Sequence, residues 1–447
     1  MKIAILGAGV NTLTAIDRAH RQGMEVVVVD CNTSAPGFAL ADETVEANPA
    51  DTTAVIEALR DKNISLCLAE PASKYMVVMG AVNDAFSLPG VTSQTASFCS
   101  DKYVFHNRMR NRKLRPGHCY LINDNNLYDP MQMTYPAIIK PRFGNGGREV
   151  HYLEKPEELY AIENKFWGEE ETEIVSEAQA SQLIPRRPKT EADVLNSYHA
   201  DAEAFSRRLK RYMDDSFKED CLDVKEEDFI LEEAFSGTEF GIDGVVEGCN
   251  FELVLVRRKI LTPPPARVAV GYTSVVMPEE MRLVEIINEY MSKVTEALGL
   301  KDCMLNADLI IQGRKCTAIE ISLYPALSHL ADELIPMVTG VDIYKEFLVY
   351  SQGEAHNFSP LQMKRMTLRF FNMENCFIHA IPDPEELDLP EKVKIRKWIC
   401  NMKMLDFMGT IRDTDTLLKR GYYILEGPSD KALEDAVNII NNAFEIK

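Results

Sequence analysis

Two lysines, a glycine loop and two isolated acids are the residues of this chain whose types and spacing could do chemistry. Lys140 closes an apolar strand, Pro136–Lys140, and leads into Phe143-Gly144-Asn145-Gly146-Gly147-Arg148 before a second strand, Glu149–Leu153. Lys102 opens a basic amphipathic helix, Asp101–Lys113. Asp308 and Glu320 stand in two otherwise apolar strands, Cys303–Ile311 and Thr317–Ile321, that turn at Gly313. With a period of two, Asp308 shares a face with Ile310, and Glu320 with Ala318. Two acids in such strands are costly to bury unless they meet a cation, and magnesium is the natural one. A bound triphosphate needs cations, mobile backbone N–H donors and carboxylates to hold its metal. This chain supplies all three in order. A glycine loop joining two strands is not a Walker loop, which opens a helix. It reads instead as a flap whose N–H groups close on phosphates.

The order Asp101-Lys102, then Pro136-Ala-Ile-Ile-Lys140-Pro-Arg-Phe-Gly-Asn-Gly-Gly147, then Leu231-Glu-Glu-Ala-Phe-Ser-Gly-Thr-Glu239-Phe, then Asn306-Ala-Asp308, then Glu320-Ile-Ser322 resembles the ATP-grasp superfamily. Ser328–Leu348, with Thr339-Gly340-Val341-Asp342, resembles the stretch downstream of the metal motif in its carboxylate–amine ligases, the L-amino acid ligase-like group. Each motif alone is weak, but five in the right order over the whole chain are specific. The resemblance implies that Lys102 and Lys140 hold the ATP phosphates and that Gly144, Gly146 and Gly147 form the flap. It puts adenine at a hinge made by Glu232, Glu233, Ala234 and Phe235, partly through backbone groups, and the ribose hydroxyls at Glu239. Asp308 and Glu320 would ligate Mg2+ or Mn2+. Two positions depart from the pattern. Ser322 replaces an Asn, a stronger metal ligand, and Tyr324 replaces an Arg that helps hold the acceptor carboxylate or acyl phosphate. That anion-holding role would pass to one or more of Arg257, Arg258, Lys259 and Arg267, which flank a proline-rich loop.

The implied activity is carboxylate–amine ligation: ATP activates a small carboxylate as an acyl phosphate, and an amine displaces phosphate to form an amide. Amino acid substrates are the family expectation. One alternative keeps the fold but uses formate or bicarbonate, as in purine and biotin metabolism. Another is a nucleotide-binding protein that has lost catalysis, a reading motivated by Ser322 and Tyr324. A nicotinamide oxidoreductase would rest only on Gly7, Gly9 and Asp30. Position 12 is Thr12 where a dinucleotide fingerprint has its third glycine, so a tight turn that lets the sheet pack is the favoured reading there.

These residues must be positioned by alternating strands and helices. Lys2–Leu6, Glu25–Asp30 and Ser65–Ala69 read as strands, with helices at Asn11–Gln22, Thr52–Arg60 and Lys74–Phe86. The expected fold is mixed α/β and α+β in several domains. A Rossmann-like domain spans 1–99, and an ATP-grasp domain of two α+β subdomains spans 100–345. A small α+β domain spans 346–447. A helical insertion at about 181–228 has Leu195, Tyr198, Ala202, Phe205, Leu209 and Tyr212 at helical spacing. It reads either as a lid or oligomer contact or as a surface decoration. The length of 447 residues suits two to four packed units. Lys+Arg number 49 against 69 Asp+Glu, a net charge of −20, which argues against nucleic acid or anionic membrane as a partner. The 10 cysteines show no Cys-x-x-Cys spacing, and the 8 histidines form no ligand cluster in sequence. Reduced thiols, no signal-like N-terminus and no span-length apolar stretch suit the cytosol, and a homodimer is the base expectation.

Overall fold

A computed structural model describes residues 1–69, 73–123, 130–144, 149–167, 228–264, 266–276, 278 and 280–447. The helical insertion expected at about 181–228 lies outside the described residues apart from Asp228, as do Gly146 and Gly147 of the expected flap.

The N-terminal region is a parallel sheet built from short apolar runs. It comprises β1 (Lys2–Leu6), α1 (Leu13–Arg21), β2 (Glu25–Asp30), β3 (Glu43–Glu46), α2 (Thr52–Leu59), β4 (Leu66–Ala69), α3 (Ser73–Phe86) and α4 (Ser93–Ser100). Strand order is β3-β2-β1-β4. Val26–Val29 are fully buried, as strands covered on both faces require. The Gly7–Gly9 turn is filled by the chain itself. Asp30 accepts from the N–H groups of Ala8 (2.7 Å) and Asn32 (2.8 Å). The Gly37 N–H donates to the Ala8 carbonyl at 2.8 Å, and a Cβ at Gly37 would stand 2.9 Å from that oxygen. The acid on which a dinucleotide site would depend is therefore spent on the turn, in line with the tight-turn reading.

The next unit runs α5 (Lys102–Asn111), β5 (Cys119–Ile122), β6 (Ala137–Pro141), β7 (His151–Leu153), α6 (Pro156–Trp167) and β8 (Phe229–Glu233). Its antiparallel sheet has order β5-β8-β6-β7 and encloses Ile122, Ala137, Ile139, Leu153, Leu159, Phe229 and Leu231. Asp101 caps α5 by accepting from the N–H groups of Tyr103 and Val104, and Arg142 at the end of β6 donates to the same carboxylate at 2.7 Å. The start of α5 is thus tied to the start of the glycine loop.

The remainder runs β9 (Thr238–Glu247), β10 (Asn250–Leu261), β11 (Ala269–Ser274), α7 (Met281–Leu298), β12 (Cys303–Gln312), β13 (Lys315–Ser322), α8 (Ile335–Thr339), α9 (Ile343–Ser351), β14 (Met366–Phe370), β15 (Cys376–Ala380), β16 (Lys394–Cys400), β17 (Phe407–Met408), α10 (Thr414–Arg420), β18 (Gly421–Glu426), α11 (Asp430–Ala443) and β19 (Glu445–Ile446). Eight of these strands form one sheet of order β13-β12-β9-β10-β11-β14-β18-β16. The tail from 346 therefore gives β14, β16 and β18 to the sheet that carries Asp308. Alternation along β12 sends Leu305, Ala307, Leu309 and Ile311 into one core, shared with Ile287, Met291 and Val294 of α7. Met304 joins the other core, with Leu255, Tyr272 and Leu368. Among the described residues no helix is long and apolar enough to cross a membrane.

Candidate active site

Three groups of side chains meet where the two antiparallel sheets approach α5. At the first, the Lys102 ammonium donates to the Gly144 carbonyl at 2.6 Å. Burial pushes this lysine below its usual range, and the Glu320 carboxylate on β13 partly offsets that. Lys102 is therefore bonded to the glycine loop and lies within electrostatic reach of Glu320 on the large sheet.

The second group surrounds Glu232, which is buried at the hinge end of β8. Lys140 approaches one oxygen at 2.6 Å, and Arg115 approaches the other at 2.5 Å. His106 Nδ1 is 3.2 Å from that second oxygen without hydrogen-bond alignment, and neither of its ring nitrogens has a hydrogen-bond partner among the described residues. Burial and the Arg115 charge push His106 well below its usual range, so the imidazole is neutral. Burial works against the Glu232 carboxylate as well, but Lys140 and Arg115 outweigh it and hold the carboxyl well below its usual range. Along the hinge, the Ala234 N–H donates to the Pro136 carbonyl at 2.9 Å, so that donor is taken by the sheet. Glu233 and Phe235 are half-buried beside it.

The third group lies across the large sheet. Asp308 and Glu320 are opposite each other in register, as are Asn306 and Ser322. The expected sharing of a face by Ala318 and Glu320 is corrected here. Asp308 pairs with Glu320 but Leu309 pairs with Ala318, so Ile319 is an extra residue. That bulge turns Ala318 into the core with Leu309 and leaves Glu320 opposite Asp308. On the next strand Gly241 is the partner of Asp308, and Arg257 is the partner of Gly241. A Cβ at Gly241 would fall 2.1 Å from an Arg257 nitrogen, so the absent side chain makes room for the guanidinium. Arg257 donates to both oxygens of Asp243, at 2.7 and 3.1 Å, with both residues buried. Lys259 donates to Asp308 at 2.6 Å and lies 3.8 Å from Glu239, which Arg267 also engages. Burial opposes the Lys259 charge, but Asp308 and Glu239 outweigh it and raise the ammonium above its usual range.

No family model matches the sequence, and no curated protein matches it. Solved structures match along the whole chain. An L-amino acid ligase from Bacillus licheniformis is 14% identical with a TM-score of 0.69, covering 100% of this chain and 98% of its own. A phosphoribosylglycinamide synthetase from Anaerococcus prevotii is 17% identical with a TM-score of 0.64, covering 100% and 99%. The biotin carboxylase domain of the Hydrogenobacter thermophilus 2-oxoglutarate carboxylase, a dimer in complex with MgADP, ADP and bicarbonate, is 15% identical with a TM-score of 0.58, covering 100% and 90%. The chain has the ATP-grasp fold.

Within this ATP-grasp frame the four candidate anion-holding cations separate. Alternation along β10 sends Arg257 and Lys259 to the acid row. Arg258 goes to the opposite face, over the Phe240 ring, where it pairs with Glu280 (2.6 Å) and Asp430 (3.2 Å). Arg267 reaches the row through Glu239. Tyr324 is buried, and its carbonyl accepts from the Asn306 amide at 2.7 Å. Its side chain lines a small cavity with Ile5, Thr12, Ala69, Met304 and Tyr344, between the loop after β13 and the ends of β1 and β4. His329, one of the histidines that form no cluster in sequence, has neighbours in the fold. It stacks on Tyr422 at 4.1 Å, and with Asp332 and Glu333 it gathers ligand-type atoms within 4.8 Å of one another, although Lys397 already pairs with Glu333 at 3.2 Å. Sequence reasoning missed Arg115, His106 and Asp243. For His106 a signal existed: it is four residues after Lys102 on the same helix, hence on the same face.

Proposed function

We propose that the chain is an ATP-dependent carboxylate–amine ligase that joins a small carboxylate, by preference an amino acid, to an amine through an acyl phosphate. The observation that carries this reading is that Lys102 bonds to the glycine loop and lies within reach of the Glu320 charge, two features that a triphosphate site would bring together. Its ammonium caps the glycine-loop carbonyl and also feels the Glu320 carboxylate, which is in register with Asp308. The acid set is oxygen-only, which suits magnesium or manganese. Asp308, Glu320 and the Ser322 hydroxyl would hold the metal, and the metal would supply charge neutralisation at the phosphates.

Lys102 and Lys140 hold the phosphates, with Gly144, Gly146 and Gly147 as the closing flap. Adenine sits along Glu232, Glu233, Ala234 and Phe235. The Ala234 N–H is already taken, so the adenine edge is read by the other hinge groups. Glu239 takes the ribose hydroxyls and in doing so releases Arg267 towards the substrate acid. Lys259, which neutralises Asp308, would likewise be free to turn to that acid with a metal held at Asp308. Arg257 stays with Asp243 and keeps the row rigid. A carboxylate oxygen bonds to the γ-phosphorus as the bond to ADP breaks. The amine nitrogen then bonds to the acyl carbon as phosphate leaves, and the proton the amine loses departs with the phosphate. Closure excludes water, which would otherwise hydrolyse the acyl phosphate.

The test is ADP and phosphate release from Mg-ATP across the amino acids, singly and in pairs, with mass spectrometry of products. Release that needs two amino acids, with a dipeptide mass, is expected, and Lys140→Ala and Glu320→Ala should be silent. Release that needs bicarbonate or formate and ignores amino acids would favour the carboxylase or purine type, for which the likeness to the biotin carboxylase domain speaks. Nucleotide binding without release on any acid would sink the ligase reading in favour of a non-catalytic nucleotide-binding protein.

A further inference from the structure

Glu232 is a buried carboxylate with two cations on it, and only one of them has another task. If Lys140 holds a phosphate, its ammonium must share or give up its contact with Glu232 when nucleotide arrives. A buried carboxylate abandoned by its partner is strongly disfavoured, so the exchange needs a second cation that stays. Arg115 has the geometry for this. It follows α5 in a loop, is itself buried, and donates to Glu232 at 2.5 Å and to the Pro116 carbonyl at 3.3 Å. Its guanidinium lies 4.9 Å from the centre of the Phe235 ring, so it also touches the hinge. His106 cannot substitute, because its ring carries no charge and makes no aligned hydrogen bond to the acid.

We propose that Arg115 is a positioning residue of the nucleotide site: it retains Glu232 so that Lys140 can exchange that carboxylate for the triphosphate. This rests on the function proposed above. Without Arg115, Glu232 has Lys140 as its sole charged donor, and the pair locks. Removing the acid as well unlocks it, because Lys140 then has no competing carboxylate.

Binding of Mg-AMP-PNP to the full chain by titration calorimetry tests this, with the melting temperature of each variant recorded. Arg115→Met should weaken binding by about tenfold or more, and the double variant Arg115→Met/Glu232→Gln should bind about threefold or more tighter than Arg115→Met alone. Unchanged affinity in Arg115→Met would overturn the inference. So would a double variant no better than the single one, since a merely structural arginine gives losses that the second substitution cannot repair. Should Arg115→Met fail to fold, Arg115→Lys with and without Glu232→Gln gives the same comparison, with a smaller loss and the same recovery expected. A wild-type chain that does not bind Mg-AMP-PNP would remove the nucleotide-site reading and this inference with it, and that failure is distinct because it appears before any substitution.

Discussion

Glu232 makes the electrostatics of the site measurable. Burial would raise its carboxyl, but Lys140 and Arg115 hold it well below its ordinary 4.5. A carboxyl depressed in the folded state contributes stability that is complete above the unfolded value and lost as pH falls towards the folded one. Glu232→Gln leaves two buried cations unpaired and should lower the melting temperature at neutral pH, by an amount equivalent to about 3–5 kcal/mol. The gap to wild type should then narrow once pH drops below about 4.5. Melts at about pH 7 and about pH 3.5 check this, and equal gaps at both would show that the charge is not what Glu232 contributes. At this scale Lys140, Asp308 and Glu320 were legible in the sequence because each interrupts an apolar strand beside a glycine turn. Arg115 was not. It sits in a loop 117 residues from Glu232, and no local periodicity encodes a contact that long.

Among the elements, β9 shows how a missing side chain builds a site. Gly241 lies between Asp308 and Arg257 in the register, and the guanidinium occupies the space a Cβ would need. Gly241→Ala should therefore push Arg257 off Asp243 and destabilise the fold by about 3 kcal/mol, the range for breaking a buried pair. Gly409→Ala, where a Cβ would meet nothing within 4 Å, should change stability by less than about 0.5 kcal/mol. Denaturant unfolding of both proteins decides it, and equal stabilities would mean that Arg257 has another place to go. Most elements near the site were readable from apolar runs and their breaks, and Phe229–Glu233 matches its strand residue for residue. Two features were not. The bulge at Ile319 leaves no mark in the sequence, since Ala318, Ile319 and Ile321 read as an ordinary strand. Gly421–Glu426 lacks the alternation that marks a half-buried strand, because Tyr422, Tyr423, Ile424 and Leu425 are buried on both faces.

Across the whole molecule, the order of the motifs was visible, but the merging of the tail with the central sheet was not, because strands nearly a hundred residues apart give no local sign of pairing. β14 adds to β11 through Gly271–Arg369, Tyr272–Leu368 and Thr273–Thr367. The Thr273 and Thr367 hydroxyls lie 3.0 Å apart, and the Ser274 hydroxyl donates to the Lys364 carbonyl and accepts from the Met366 N–H, both at 2.9 Å. Met366, Leu368, Phe370 and Ile424 share one core with Val270 and Tyr272, and through it with Ile3 and Ile5 of the N-terminal sheet. A chain ended after residue 345 would leave β11 as an open edge beside an uncovered apolar face, the combination that drives strands to pair between molecules. Such a truncation should give aggregated or non-cooperatively folding protein, in contrast to what a self-contained domain boundary at that point would allow. Size-exclusion chromatography and thermal melting of residues 1–345 test it. A soluble monomer with a sharp transition near that of the full chain would mean that the core closes without the tail, and that β14, β16 and β18 decorate the ATP-grasp sheet rather than complete it.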